Sequence, residues 1–167
     1  MIRTASLLLL VTLTGCRDSQ QDAAANLSSS GIVTQLTVAG DVTRVDATKA
    51  KLPANFWTTL TKFPQLQALI LTSVTFSDRD LASLDSFENL ESLDLSYTKV
   101  SPVGLSHLTR LSGLRDLALN GVMLDEDGLK ALRQMRQLRS LALVETNLTD
   151  GQVQQLQSHL AGCLVAK

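Results

Sequence analysis

The stretch that decides the fold is LESLDLSYTKVSPVGLSHLTRLSG, residues 90–113. In its first half, Leu93 and Leu95 alternate with polar residues, which is the pattern of a short strand with one buried face. In its second half, leucines recur every three residues from Leu105 to Leu111, which places them on one face of a helix. The stretch therefore predicts a strand followed by a helix.

The same 24-residue pattern recurs on both sides of this stretch without an insertion. Leu66, Leu90, Leu114 and Leu138 each begin one copy, and a weaker copy precedes them, so that five units fill residues 42–161. A strand and a helix that cannot bury their apolar sides alone must stack on copies of themselves. The repeat therefore predicts a single α/β solenoid.

The repeat resembles the leucine-rich-repeat signature, L-x-x-L-x-L-x-x-N/C-x-L, which this chain carries as Leu90-x-x-Leu93-x-Leu95-x-x-Thr98-x-Val100. At the ninth position Thr or Val replaces the family's Asn or Cys. Thr at this position, followed by a Gly-Leu helix start, is similar to a 24-residue subtype of bacterial proteins. The resemblance implies short parallel strands on a concave face and helices on a convex face.

Two short segments flank the repeats. Residues 32–41 alternate apolar side chains ahead of a Gly-Asp turn, which predicts a strand that caps the first unit. Residues 162–167 start a sixth unit and stop, which predicts an open strand edge at Cys163, Leu164 and Val165. Because open edges invite pairing, we expect a weak homodimer through this stub, which a disulfide at Cys163 would reinforce.

The amino terminus has the features of a lipoprotein signal. Arg3 precedes an apolar stretch of about ten residues, which suits a secretory signal and is too short for a bilayer-spanning helix. The residues Leu-Thr-Gly-Cys that end at Cys16 resemble the bacterial lipobox, which implies cleavage after residues 1–15 and lipidation of Cys16. An ordinary signal peptide with a chance Cys, and an uncleaved anchor, stay open as alternatives.

The segment after the lipobox is polar and lacks aromatic residues. Such a composition buries too little apolar surface to order itself, so residues 16–31 are predicted to form a lipidated, flexible tether. The lipobox implies a location in the bacterial cell envelope. Because Arg17 and not an acidic residue follows Cys16, resemblance to a bacterial sorting rule favours the outer membrane as the location of the protein.

Several classes of function find no support in the sequence. The net charge is −1 and no basic run is present, which argues against nucleic acid as a partner. The chain lacks a P-loop, a G-x-S-x-G elbow and an H-E-x-x-H motif, and its two histidines have no partner at metal-ligand spacing. We therefore predict no cofactor, no metal and no catalytic residue.

The predicted strand face offers one pair of carboxylates. Asp94 and Asp116 lie on neighbouring strands, offset by two positions and therefore roughly 7 Å apart. Solvation, ligand contact and acid–base catalysis all stay open for this pair. Tyr97 should be exposed just past a strand, and exposed tyrosines are enriched at interfaces. The predicted ligand-contacting residues are Arg44, Asp94, Ser96, Tyr97, Asp116, Asn120 and Glu145.

Together these features predict a membrane-anchored, non-enzymatic binding module of the bacterial cell envelope. It would recognise a protein, peptide or glycan through the strand face of its repeats. The alternative is a structural or self-associating envelope scaffold that has no dedicated ligand.

Overall fold

The computed structural model describes residues 19–167. The predicted signal peptide and the predicted lipidation site at Cys16 lie outside these residues. In chain order the elements are α1 (residues 19–28), β1 (Val33–Leu36), β2 (Val42–Asp46), α2 (Phe56–Leu60), β3 (Ala68–Ile70), α3 (Asp78–Ala82) with a 3₁₀ helix (Ser83–Ser86), β4 (Ser92–Asp94), α4 (Pro102–Leu108), β5 (Asp116–Ala118), α5 (Glu126–Gln134), β6 (Ser140–Ala142), α6 (Asp150–His159) and β7 (Leu164–Ala166).

The strands form one seven-stranded sheet whose spatial order is the order of the sequence. β1 is antiparallel to β2, and every later pair is parallel. Leu69 pairs with Leu93, and Leu93 pairs with Leu117, so partners lie one 24-residue repeat apart. Each repeat therefore adds one strand to the sheet.

The apolar positions of the strands and helices meet in one continuous core. Leu93 of β4 and Leu105 and Leu108 of α4 are each no more than 1% exposed, and the equivalent residues of the neighbouring repeats join the same cluster. Burying each such side chain contributes about 1.5–3 kcal/mol. Consecutive helices from α3 to α6 contact each other along the stack. The chain thus has an α/β, leucine-rich-repeat-like fold.

Helix starts follow the capping chemistry of the sequence. Ser101 Oγ accepts the N–H groups of Val103 and Gly104 at the start of α4, where Pro102 occupies the first turn. Thr149 forms a capping box with Gln152 at the start of α6. Within residues 19–167, no helix is long and apolar enough to cross a bilayer.

The amino-terminal segment differs from the predicted tether. Residues 19–28 form helix α1, in which Ala23, Ala24 and Leu27 are buried against the core. Gln20 Oε1 accepts the Val42 N–H at 3.1 Å, which joins α1 to the first repeat. The terminal repeat of a stack exposes apolar surface that must be covered. This packing orders a segment whose polar composition predicted disorder.

The carboxyl-terminal end differs from the predicted open stub. Helix α6 has ten residues where α5 has nine, which shifts the next two core positions, Leu160 and Cys163, by one residue before β7 returns to the 24-residue register. Cys163 N–H consequently donates to Leu160 O, as Leu138 N–H donates to Met135 O one repeat earlier. Cys163 is only 4% exposed, and burial raises the pKa of its thiol, with a smaller effect from Asp116. The disulfide predicted at Cys163 disagrees with this position, because a buried, protonated thiol is inert.

The outer edge of β7 is also partly closed. Gln157 Nε2 donates to Cys163 O at 2.6 Å, and Gln157 Oε1 accepts the Val165 N–H at 3.1 Å. One side-chain amide thus makes two of the bonds that a further parallel strand would make. Leu164 is exposed and Val165 is half-buried, but the open edge predicted there is occupied by this amide.

We predict that Leu119→Ala lowers the free energy of unfolding by about 2–5 kcal/mol, because the Leu119 side chain is fully buried in the ladder of leucines. The matched control is Val103→Ala on α4, where the side chain is 61% exposed and the cost should stay within about 0.5 kcal/mol. Urea unfolding measures both. Equal losses would contradict the assignment of inward and outward positions.

Candidate functional site

The uncovered side of the sheet, which we call the strand face, carries two rows of side chains. The strand register places one row at Gln35, Arg44, Ala68, Ser92, Asp116, Ser140 and Leu164, and the other at Val33, Asp46, Ile70, Asp94, Ala118, Ala142 and Ala166. A depression of about 210 Å³ lies in the middle of this face. Arg44, Asp94 and Asp116 all line it, so the structure brings three of the predicted residues together.

The two carboxylates of the depression differ in their surroundings. Asp94 pairs with Ala118 and Asp116 pairs with Ser92, so they lie on adjacent strands two positions apart. Asp94 Oδ1 accepts the Ser96 N–H at 2.8 Å and so braces the turn that follows β4. Asp116 is exposed. Of the pair, Asp116 is therefore the more available to a ligand.

Ser96 and Asn120 hold neighbouring turns together, which differs from the ligand contacts predicted for them. Ser96 is only 2% exposed, and its hydroxyl accepts the Asn120 N–H at 3.2 Å. Asn120 Oδ1 in turn accepts the Val144 N–H at 2.9 Å. Both residues occupy the seventh position of their repeats, where the side chain folds back to satisfy the backbone of the next repeat.

The eighth position of every repeat has a left-handed backbone. The five residues have φ between 56° and 67°, and they are Lys49, Ser73, Tyr97, Gly121 and Glu145. Four of them are not glycine, although an L residue pays a steric cost in this region. Each forms the tight turn that takes the chain from a strand toward the next helix.

Tyr97 and Glu145 meet across this row of turns. The Tyr97 hydroxyl donates to Glu145 Oε2 at 3.0 Å although the two residues are two repeats apart. The ring lies over Gly121, where an added Cβ would come within 2.5 Å of a ring carbon. The hydrogen bond to Glu145 and the negative charge of that carboxylate raise the pKa of Tyr97 above its ordinary value. Because Gly121 has no Cβ, the Tyr97 ring can pack directly against the turn of the next repeat.

A groove of about 520 Å³ lies beside this ring, and we call it the turn groove. Its lining consists of Tyr97, Thr98, Lys99, Val100, Ser101, Gly121 and Met123. The Tyr97 and Met123 side chains are 51% and 72% exposed. A second cavity of about 160 Å³, next to Phe76, shares Tyr97, Thr98 and Lys99 with it. Tyr97 therefore stands between two recesses.

Sequence reasoning missed Lys99 and Met123. Both occupy the tenth position of their repeats, two residues after the left-handed turn. The 24-residue spacing from Tyr97 to Gly121 was the available signal, because it places a glycine directly beside the only tyrosine. Within residues 19–167, no group of three or more His, Cys, Asp or Glu side chains is placed to hold a metal ion.

The chain is similar to known proteins at the level of solved structures. No family model matches the chain, and no curated protein does. Among solved structures, the chain is similar to an internalin from Listeria monocytogenes, with 18% sequence identity and a TM-score of 0.46. The similarity covers 66% of this chain and 37% of that chain, so it spans little more than a third of the internalin. The leucine-rich-repeat-like class follows from the register of the chain's own repeats.

We predict that Glu145→Gln lowers the pKa of Tyr97 toward the ordinary value of about 10, because the neutral amide removes the charge that disfavours the phenolate. A raised pKa in the folded state means that the contact stabilises the fold below pH of about 10 and is lost as pH rises through the folded value. Because the chain has one tyrosine, tyrosinate absorbance reports Tyr97 alone. Glu91→Gln changes an exposed residue elsewhere and should leave the Tyr97 titration unchanged. An equal pKa shift in this control would contradict the contact between Tyr97 and Glu145.

Proposed function

We propose that this chain is a non-enzymatic binding module, built as a leucine-rich-repeat solenoid, that recognises a segment of another protein. The observation that carries this proposal is the turn groove, in which Tyr97 and Met123 are exposed beside a preorganised hydrogen bond. Tyrosine and methionine are enriched in the cores of protein interfaces. A ring already fixed by Glu145 loses little conformational entropy when a partner binds.

The composition of the turn groove suggests what it binds. Tyr97, Val100 and Met123 suit one bulky apolar side chain of the partner. Lys99 lines the same groove, and neither of the two ion pairs found within residues 19–167 involves it. A cation at the rim favours an acidic group on the partner. The ligand that fits best is an extended peptide segment with an apolar anchor beside a carboxylate.

The strand face is the second part of the proposed binding surface. Its depression is smaller and more polar in character, since Arg44, Asp94 and Asp116 line it. These groups suit hydrogen bonds to a peptide backbone or to a glycan. One carboxylate oxygen of Asp94 already accepts the Ser96 N–H. This contact supports ligand contact or solvation over acid–base catalysis for Asp94 and Asp116.

We also propose that the domain is anchored to a membrane of the bacterial cell envelope through lipid on Cys16, with the outer membrane favoured by Arg17. The support comes from the sequence of residues 1–16. Residue 19, the first described residue of α1, lies three positions after Cys16, and a fully extended chain of that length spans at most about 11 Å. An anchored domain would thus sit close to the bilayer, with the end of the stack that carries α1 nearest to it.

We predict that a photoreactive benzoylphenylalanine in place of Met123 cross-links a partner protein in intact cells. The matched control replaces Ser158, which is exposed on α6 and distant in sequence from the groove. Tyr97→Ala should lower the Met123 cross-link by about tenfold or more, because it removes an aromatic anchor. Mass spectrometry of the adduct identifies the partner. Equal adducts from Met123 and Ser158, or none from Met123, would contradict the proposal.

We predict that Cys16→Ser moves the protein from the membrane fraction to the soluble fraction, because the acyl chains supply the attachment. Cys163→Ser is the control, since this thiol is buried and should play no part in anchoring. Fractionation of cells followed by immunoblotting measures both. A Cys16→Ser variant that stays with membranes would contradict the anchor without bearing on the groove.

A further inference from the structure

The two edge strands of the sheet are closed to different degrees. At β7 the Gln157 amide bonds to the outward-facing backbone of Cys163 and Val165. At the other end, β1 pairs only with β2, and no strand within residues 19–167 pairs with its outer side. Unpaired strand edges are sites for pairing with another chain.

The direction of the backbone groups in β2 fixes those in β1. Thr43 O accepts the Gln67 N–H at 2.8 Å, and Ala47 N–H donates to Ile70 O at 2.9 Å. Thr43 and Ala47 therefore face β3. Because the backbone alternates along a strand, Arg44 faces β1.

Arg44 pairs with Gln35 of β1, so Gln35 directs its backbone groups toward β2. By the same alternation, Thr34 directs its N–H and C=O groups away from the sheet. The register with β2 shifts between Gln35 and Leu36, but Thr37 N–H donates to Asp41 O across the hairpin, so Leu36, which lies between Gln35 and Thr37, also faces away from β2. The outer edge of β1 thus presents two donors and two acceptors in strand geometry.

The sequence of this edge carries none of the usual protection. The seven residues from Ile32 to Val38 include no charge and no proline. Val33 and Leu36 are 62% and 45% exposed, and Val38 at the hairpin turn is fully exposed. Natural edge strands are protected by lysines, prolines or covering elements. An uncharged, apolar edge has nothing that repels an identical edge.

We propose that the outer edge of β1 binds a second copy of this chain, forming a two-fold symmetric dimer by antiparallel pairing of the two β1 strands. With Gln35 opposite Gln35 of the second copy, Thr34 lies opposite Leu36 of that copy, and each such pair exchanges two hydrogen bonds. The sheet then continues across the two-fold axis. This inference is independent of the turn groove and of the anchor.

A second copy fits this edge better than a lipid surface does. The exposed valines and leucine would suit either, but unpaired N–H and C=O groups are costly in hydrocarbon. A strand satisfies them. The contact is short, at four strand residues, so we expect a weak, reversible dimer.

Disulfide trapping in the full chain tests the register. Opposed residues of a non-hydrogen-bonded pair have Cα atoms about 4.5 Å apart, which is within the range for a disulfide. Gln35→Cys should therefore give a cross-linked dimer under mild oxidation, and Ser158→Cys on α6 should not. The wild type, which retains Cys16 and the buried Cys163, is the background control for cross-links that do not involve residue 35.

Two further variants test the edge itself by sedimentation equilibrium of the full chain in mild detergent. Thr34→Pro removes an outward N–H and leaves the bonds to β2 intact, and Leu36→Lys adds a charge to the edge. Each should raise the dimer dissociation constant at least tenfold, since several hydrogen bonds are lost or a charge is desolvated. Leu36→Lys also serves if the proline variant fails to fold, which circular dichroism reports.

Any of four results would overturn the proposal. One is a wild type that stays monomeric at high micromolar concentration. Another is a Gln35→Cys variant that cross-links no more than Ser158→Cys. The third is a dimer whose dissociation constant neither edge variant changes. Loss of vesicle binding by Leu36→Lys without any change in self-association would assign the edge to lipid and equally overturn it.

Discussion

Each repeat must return the chain to the sheet one strand further along, and this constraint acts at the left-handed turn after every strand. The turn recurs at Lys49, Ser73, Tyr97, Gly121 and Glu145, one per repeat. An L residue in this region costs about 1–2 kcal/mol. The buried leucines of one repeat offset that cost several times over, at about 1.5–3 kcal/mol each. Burial of the leucines therefore stabilises the left-handed turns, and the turns keep the leucines of successive repeats in register.

The same constraint locates the candidate site. Side chains within the strands point either into the core or onto the strand face, whereas the left-handed residue projects from the margin of the sheet. Tyr97 and Glu145 reach each other there because Gly121 between them has no Cβ to separate them. A fixed aromatic ring, an exposed methionine and an exposed lysine consequently come together on the most constrained part of each repeat. The turn groove is preorganised because the repeats require the left-handed backbone conformation of the turns that form it.

How far the sequence predicts this structure depends on where the partner of each residue lies. The strands, helices and core follow from periodicity within one repeat, as Leu93 and Leu105 illustrate. The sequence places Ser96 among the ligand-contacting residues, but its hydroxyl accepts the backbone N–H of Asn120, 24 residues later. Residues 19–28 looked disordered by composition, but the first repeat supplies the apolar surface on which Leu27 packs. Contacts between repeats and at the ends of the stack do not appear in a local pattern.

The state of its two edge strands decides what kind of assembly the sheet permits. A stack of parallel strands with two open ends would join head to tail and grow into a filament. Here Gln157 bonds to Cys163 O and to the Val165 N–H and so partly closes the β7 edge, whereas the outer edge of β1 is paired with no strand of residues 19–167. An edge strand that pairs with its own copy across a two-fold axis has no outward bonding groups left for a third chain. Two-fold pairing at β1, together with the Gln157 contacts at β7, would limit self-association to a closed pair. The turn groove lies on the margin of the central repeats, away from the β1 edge, and would stay accessible in both copies.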